Sequence, residues 1–279
     1  MSGGQVRGGG KVDAYLYERY DRHMIRAAQR IVIKVGTRVL SREGGALDVE
    51  FLAGLVEQIV ALRKRGTQVV LVTSGAVGSG RSLLKLDDAK LEVVRKQIFA
   101  AVGQVALMTT YAALFAKYDF LCAQVLATKE DFRDEVHYAN MQNCFEGLLL
   151  DNVVPVVNEN DVVATTELLF TDNDELAGLV AEQLKADRLV ILTGTDGVLD
   201  ADGRTIPTVT DANIAEVESC VHPNTSTGGR GGMVSKFKVA RELSAKGITV
   251  HIVNGREEDV LMKVADGVAT GTRFTPLSV

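Results

Sequence analysis

Apolar residues along this chain fall into short runs of two alternating kinds. Ile31-Val32-Ile33-Lys34-Val35 is β-branched, nearly continuous and closed by Gly36, the pattern of a strand buried on both faces. Leu52, Leu55, Val56, Ile59, Val60 and Leu62 recur every three to four residues and predict an amphipathic helix closed by Arg65-Gly66. Gln68 to Val72 reads as a second buried strand, Leu91 to Tyr118 as a long helix, and Cys122 to Leu126 as a short strand. Further strands are expected at Val153–Val157, Arg188–Thr193 and Ile248–Val253, with helices at Glu175–Lys185 and Ser235–Lys246 between them. Strands separated by helices imply parallel pairing through right-handed crossovers. The expected fold class is therefore α/β, a three-layer α/β/α sandwich with a mainly parallel central sheet. Ligands in such folds sit beyond the carboxyl ends of the strands.

The first residues break this pattern. Met1 to Gly10 hold five glycines and few apolar side chains, too little to offset their ordering entropy. Tyr15, Tyr17 and Tyr20 then suggest a short helix from Val12 to Arg30. Residues 1–29 are read as a partly disordered extension with that helix, and 30–279 as one domain.

Composition narrows the class. There are 31 Lys+Arg against 36 Asp+Glu, a net charge of −5, which argues against bulk binding to nucleic acid or to an anionic membrane. No apolar run is read as reaching the roughly 20 residues that span a bilayer, and the polar, Gly-rich start does not read as a signal peptide. Cys122, Cys144 and Cys220 lie far apart, so neither a disulfide framework nor a structural zinc site is expected. Cys122 and Cys144 read as buried packing residues. A cytoplasmic location and no protein-held metal follow from this reading.

Candidate chemistry gathers at the strand ends. Lys34 either snorkels to water or, beside Gly36 and Thr37, supplies a point charge to an anion. Thr73-Ser74-Gly75-Ala76-Val77-Gly78 is either a turn needing small residues or a set of amides facing a carboxylate or phosphate. It is not a nucleophile elbow, because Val72 occupies the place of the required glycine. Asn158-Glu159-Asn160-Asp161 follows a buried strand, and Thr171-Asp172-Asn173-Asp174 opens a helix. One N-cap explains one of these polar groups, not all of them. Gly228-Gly229-Arg230-Gly231-Gly232-Met233-Val234-Ser235-Lys236 could wrap a polyphosphate while Lys236 reaches a transferring group. Neither a G-x-x-x-x-G-K-[ST] loop nor a G-x-G-x-x-G after the first strand is present.

Six of these segments in order resemble the amino acid kinase superfamily, and most closely its glutamate-phosphorylating branch, which includes the kinase half of the bifunctional pyrroline-5-carboxylate synthases. They are Ile33–Thr37, Val72–Val77, Ala101-Val102-Gly103-Gln104, Asn158–Asp161, Asp172–Asp174 and Gly231–Lys236. Asp131-Phe132-Arg133-Asp134 looks more like the bifunctional enzymes. The resemblance implies the amino acid kinase fold, with ATP and Mg2+ as cofactors and phosphorylation of the L-glutamate side-chain carboxylate on the way to proline.

It implies Lys34, Lys236 and Asp174 as catalytic residues, with Asp174 holding the two lysines. Ser74, Gly75, Ala76, Asp161 and Asn173 would bind glutamate. Lys34, Gly36, Thr37, Thr193, Gly194 and Arg230, Gly231, Gly232, Met233, Val234, Ser235 and Lys236 would contact ATP. Proline inhibition and a homo-oligomer, dimer or tetramer, are also implied. Arg38, Gly194 and Leu199 depart from the residues usual in relatives. Ending at Val279, the chain is expected to lack both the RNA-modification-type domain and the reductase half found in longer relatives. Two alternatives stay open: another superfamily member acting on acetylglutamate, aspartate or UMP, and a catalytically inactive nucleotide-binding regulator.

Overall fold

The computed structural model describes residues 28–87, 91–163, 170, 172–221 and 232–277. The Gly-rich start, most of the helix expected from Val12, and Thr171, Arg230 and Gly231 lie outside the described residues. Arg30 does not end a helix; it opens the first strand.

β1 (Arg30–Val35) is followed by a helical turn, α1 (Thr37–Leu40), and by α2 (Val49–Lys64). Asp48 caps α2 by accepting from the Phe51 amide at 3.3 Å. Next come β2 (Gln68–Thr73), α3 (Ala76–Leu83), α4 (Glu92–Ala116), β3 (Cys122–Ala127), α5 (Glu135–Leu150) and β4 (Val154–Glu159). The second half holds α6 (Asn173–Gln183), β5 (Arg188–Thr193), β6 (Thr208–Val209), α7 (Ile214–Cys220), α8 (Met233–Ser244), β7 (Thr249–Asn254), α9 (Val260–Ala265) and β8 (Thr272–Phe274).

The strands form one sheet in the order β3-β4-β2-β1-β5-β7-β8-β6. The six long strands are parallel; β8 runs antiparallel to β7 and carries β6 beside it. Alternation of side chains divides the apolar residues of β1 between two cores. Val32 joins Val70, Val157 and Ile191 under α5, α6 and α8. Ile31, Ile33 and Val35 join Leu71 and Val190 under α2, α4 and α9. Three layers result. The chain winds from β1 to β2 on one side and later to β5 on the other, so a crevice opens beyond the carboxyl ends of β1, β2 and β5.

Two expectations are corrected. An 18-residue window of α4 has a mean hydropathy of 1.7, long and apolar enough by those measures to cross a bilayer. One face of α4 instead packs Phe99, Leu107, Tyr111, Leu114 and Phe115 into the protein. Cys144 is exposed, because α5 turns Phe145 and Leu149 inward, and Cys122 at the start of β3 is only partly buried. The Asp131–Asp134 segment has a local structural use. Asp131 accepts from the amide and hydroxyl of Thr128, and Asp134 caps α5.

Candidate active site

A cleft of about 1160 Å³ occupies the crevice. Its walls are the ends of β1 and β5, the first turns of α3, α4 and α8, and the residues following β4. Lys34, Gly36, Thr37, Ser74, Gly75, Ala76, Asp161, Asn173, Thr193, Gly194, Gly232, Met233 and Lys236 all line it. Val234 and Ser235 share a turn with Met233 but do not line the cleft; Val234 is exposed.

At its centre two lysines converge on one carboxylate. Lys34 Nζ lies 2.5 Å from Asp174 Oδ1, and Lys236 Nζ lies 2.9 Å from Asp174 Oδ2. Lys34 belongs to the face of β1 that carries Val32, so its stem runs beneath α6 while its ammonium emerges at the strand end. Asp174 is fully buried, and Lys34 and Lys236 are 4% and 6% exposed. Burial alone would push the Asp174 carboxyl up; the two ammonium groups outweigh it and hold the carboxyl below its ordinary range. The group carries one net positive charge where an anion entering the cleft would arrive. Asp172 aims α6 by accepting from the Asp174 and Glu175 amides at 2.8 and 3.1 Å. Gly36 matters for the same centre, because a Cβ there would stand 3.3 Å from Lys34 Nζ.

A polar wall adjoins the lysines. Asn173 Nδ2 donates to Thr73 O and Ser74 Oγ at 2.8 Å each and to Asn158 Oδ1 at 3.0 Å. Gly75 stands at φ 100°, a left-handed conformation that turns β2 sharply into α3. Asp161 does not stand alone: Lys96 of α4 pairs with its Oδ1, and Gln97 donates to Val162 O at 2.8 Å.

The α1 turn is tied from across the sheet. Arg256, after β7, donates to Val39 O at 3.1 Å and to Asp48 Oδ2 at 2.7 Å.

Sequence reasoning missed several lining residues. Arg81, Glu92, Arg95, Lys96 and Phe99 come from α3 and α4, and Cys220 from the end of α7. Charges spaced along a helix read as a solvated face, and only the backbone approach of α3 to α4 turns them toward the cleft. A Cβ on Gly103 would sit 1.8 Å from Ala76 O, so the two helices are in direct backbone contact.

This geometry suits transfer of an anionic group, and comparison with known proteins agrees. A model described as the amino acid kinase family matches residues 29–254. The chain belongs to the amino acid kinase family. Among curated proteins, it is similar to the glutamate 5-kinase of Chlorobaculum tepidum, 46% identical over 248 residues, which cover 88% of this chain and 69% of that one. It is also similar to the glutamate 5-kinase of Bacteroides thetaiotaomicron, 40% identical over 257 residues, 88% of this chain and 70% of that one. Carbamate kinase from Giardia lamblia bound to AMP-PNP superposes with a TM-score of 0.64 at 20% identity, covering 89% of this chain and 99% of that one. That likeness establishes a shared amino acid kinase fold.

Proposed function

We propose that this amino acid kinase transfers the γ-phosphoryl group of ATP to the side-chain carboxylate of L-glutamate, forming L-glutamyl 5-phosphate, the first step toward proline. The observation that carries the reading is the convergence of Lys34 and Lys236 on buried Asp174, beside the polar wall of Ser74, Asn158 and Asn173. The names of relatives 40% to 46% identical support the choice of glutamate.

The chemistry needs little from acids or bases. A glutamate carboxylate oxygen forms a bond to the γ-phosphorus while the bond to the β–γ bridging oxygen breaks, and ADP leaves with that electron pair. No proton moves, because the attacking carboxylate is ionised at neutral pH. What the protein must supply is positive charge and alignment. Lys34 meets the phosphoryl group in flight, Lys236 the leaving β–γ side, and Asp174 keeps both ammonium groups in register. Gly36 and Thr37 line the phosphate path, with Thr193, Gly194, Gly232, Met233 and Lys236 toward the nucleotide.

Ser74, Gly75 and Ala76 face one end of glutamate, and Asp161 and Asn173 its ammonium. Magnesium arrives with ATP, neutralising phosphate charge when bound. Among the described residues no group of three or more His, Cys, Asp or Glu side chains is placed to hold a metal ion. Asp174 is already engaged by both lysines, which fits a cation held by phosphates and water.

Proline would compete at the glutamate subsite. Exposed Val94, Val102 and Val105 on α4, with exposed Leu91 just before it, support self-association through that helix.

The test is ADP release from purified protein with magnesium and ATP, offering L-glutamate, L-aspartate, N-acetyl-L-glutamate or UMP, with and without proline. Turnover with glutamate alone, weakened by proline, is expected. Turnover with a different acceptor would keep the lysine chemistry and overturn the substrate; ATP binding without turnover would favour a regulator.

A further inference from the structure

The Ala101-Val102-Gly103-Gln104 segment has no part in the chemistry above, although Gln104 of α4 bonds directly to Asn158, which lines the cleft. Gly103 lets α4 lie on the backbone of α3, and this contact carries Gln104 to the end of β4. There Gln104 is 8% exposed and Asn158 3% exposed, and each uses its amide.

Four side-chain amides form a line. Gln104 Nε2 donates to Gln124 Oε1 at 3.1 Å, Asn158 Nδ2 donates to Gln104 Oε1 at 3.0 Å, and Asn173 Nδ2 donates to Asn158 Oδ1 at 3.0 Å. An amide can turn over and exchange its oxygen and nitrogen, so such a line could in principle run either way. Two backbone groups forbid the reverse. Thr73 O can only accept, so the atom of Asn173 that meets it at 2.8 Å is nitrogen. The Glu159 N–H can only donate, so the atom of Asn158 that meets it at 2.9 Å is oxygen. Asn158 must then present nitrogen to Gln104, and Gln104 must answer with oxygen. With Nδ2 committed to Thr73, Ser74 and Asn158, Asn173 keeps Oδ1 as its acceptor for the cleft that it lines.

We propose that Gln104 is a positioning residue for the glutamate subsite: by accepting from Asn158 Nδ2 it holds Asn158, and through it Asn173, firmly in the sense that the two backbone groups prescribe, so that Asn173 offers an acceptor to the substrate ammonium. This rests on the glutamate reading above. Gln104 does not line the cleft, and its effect passes through Asn158. Without its oxygen, buried Asn158 loses a partner for Nδ2 and gains a reason to rotate, which would set two nitrogens face to face at Asn173. The ATP end, built on β1, β5 and α8, shares no member of the line.

The experiment compares the full chain with Gln104→Met, which keeps length and removes the oxygen, and Gln104→Glu, which presents an acceptor oxygen whether ionised or protonated. KM for glutamate and for ATP are measured separately by ADP release, beside the thermal midpoint. In Gln104→Met the glutamate KM should rise about tenfold while the ATP KM stays within about twofold, as expected for a lost buried hydrogen bond. Gln104→Glu should keep the glutamate KM within about threefold.

A packing role alone would lower the midpoint in both variants and move neither KM selectively; that result overturns the proposal. So would equal changes in the two KM values, or equal loss in both variants. If Gln104→Met does not fold, Gln124→Met removes the exposed end of the line and should raise the glutamate KM about threefold at constant ATP KM; no change there overturns the proposal. Wild-type protein inert toward glutamate would overturn the substrate reading and this inference together, whereas an active wild type with an unchanged Gln104→Met overturns this inference alone.

Discussion

Replacing Asp174 by Asn keeps the shape of the central group and removes its only negative charge. Two nearly buried ammonium groups then face each other across a neutral amide. At 2.5 and 2.9 Å, and an effective dielectric of about 20, each lysine–carboxylate attraction is worth about 6 kcal/mol. Much of that sum is returned when the carboxylate no longer has to be stripped of water. Breaking a buried ion pair by removing one partner costs about 3 to 5 kcal/mol on balance.

Lys236→Met behaves differently, because it leaves Lys34 and Asp174 as a neutral pair and removes a charge that was itself costly to bury. Its cost should be about 1 kcal/mol or less. Both variants should lose about a hundredfold or more in kcat, since each disturbs charge aimed at the transferring phosphoryl group. Urea unfolding gives the stabilities and ADP release the rates. Equal destabilisation by the two variants, or an Asp174→Asn protein as stable as the wild type, would refute the charge count behind this account.

Other consequences can be checked alongside. The Asp174 carboxyl is held below its ordinary value of 3.8, so its contribution to stability is full above that pH and is lost as pH falls below it. The stability difference between wild type and Asp174→Asn should therefore stay flat on moving from neutral pH toward 3.8 and shrink only on further acidification. Asp161→Ala should raise the glutamate KM about tenfold and leave the ATP KM nearly unchanged; parallel shifts would remove Asp161 from the substrate end. Gly103→Ala would drive a methyl group to within 1.8 Å of Ala76 O and should cost about 3 kcal/mol or more in chemical unfolding; a neutral outcome would mean that α3 and α4 can separate freely. Arg38→Ala, at an exposed arginine lining the cleft, should raise the ATP KM about threefold with little change for glutamate; an unaltered ATP KM would leave Arg38 a surface charge.

Much of the fold was legible because its strands are buried on both faces. The run Ile31 to Val35 predicts β1 to within one residue, since β-branched continuity has few other uses. The short strands were not legible: Thr208-Val209 and Thr272-Arg273-Phe274 are too brief to show any period, and only their pairing with each other and with β7 makes them strands. At the cleft, Lys34, Asp174 and Lys236 stood out singly, as charges beside a strand end or in a first helical turn. That all three meet depended on α6 and α8 lying side by side over β1. Lys96 gave no such signal, because a lysine early in a long helix looks like any solvated charge until the residues after β4 fold back upon it. The amide line was equally hidden, since hydrogen-bond sense is set by two backbone groups that the side-chain order does not reveal.

The most direct test of the central claim is to trap the product. The protein is incubated with ATP, magnesium, L-glutamate and hydroxylamine, and the hydroxamate is identified by mass spectrometry with fragmentation that separates the two carboxyl positions. The account predicts the side-chain hydroxamate of glutamate, formed only with ATP and in step with ADP. ADP released without any hydroxamate, or a hydroxamate at the α-carboxyl, would contradict it.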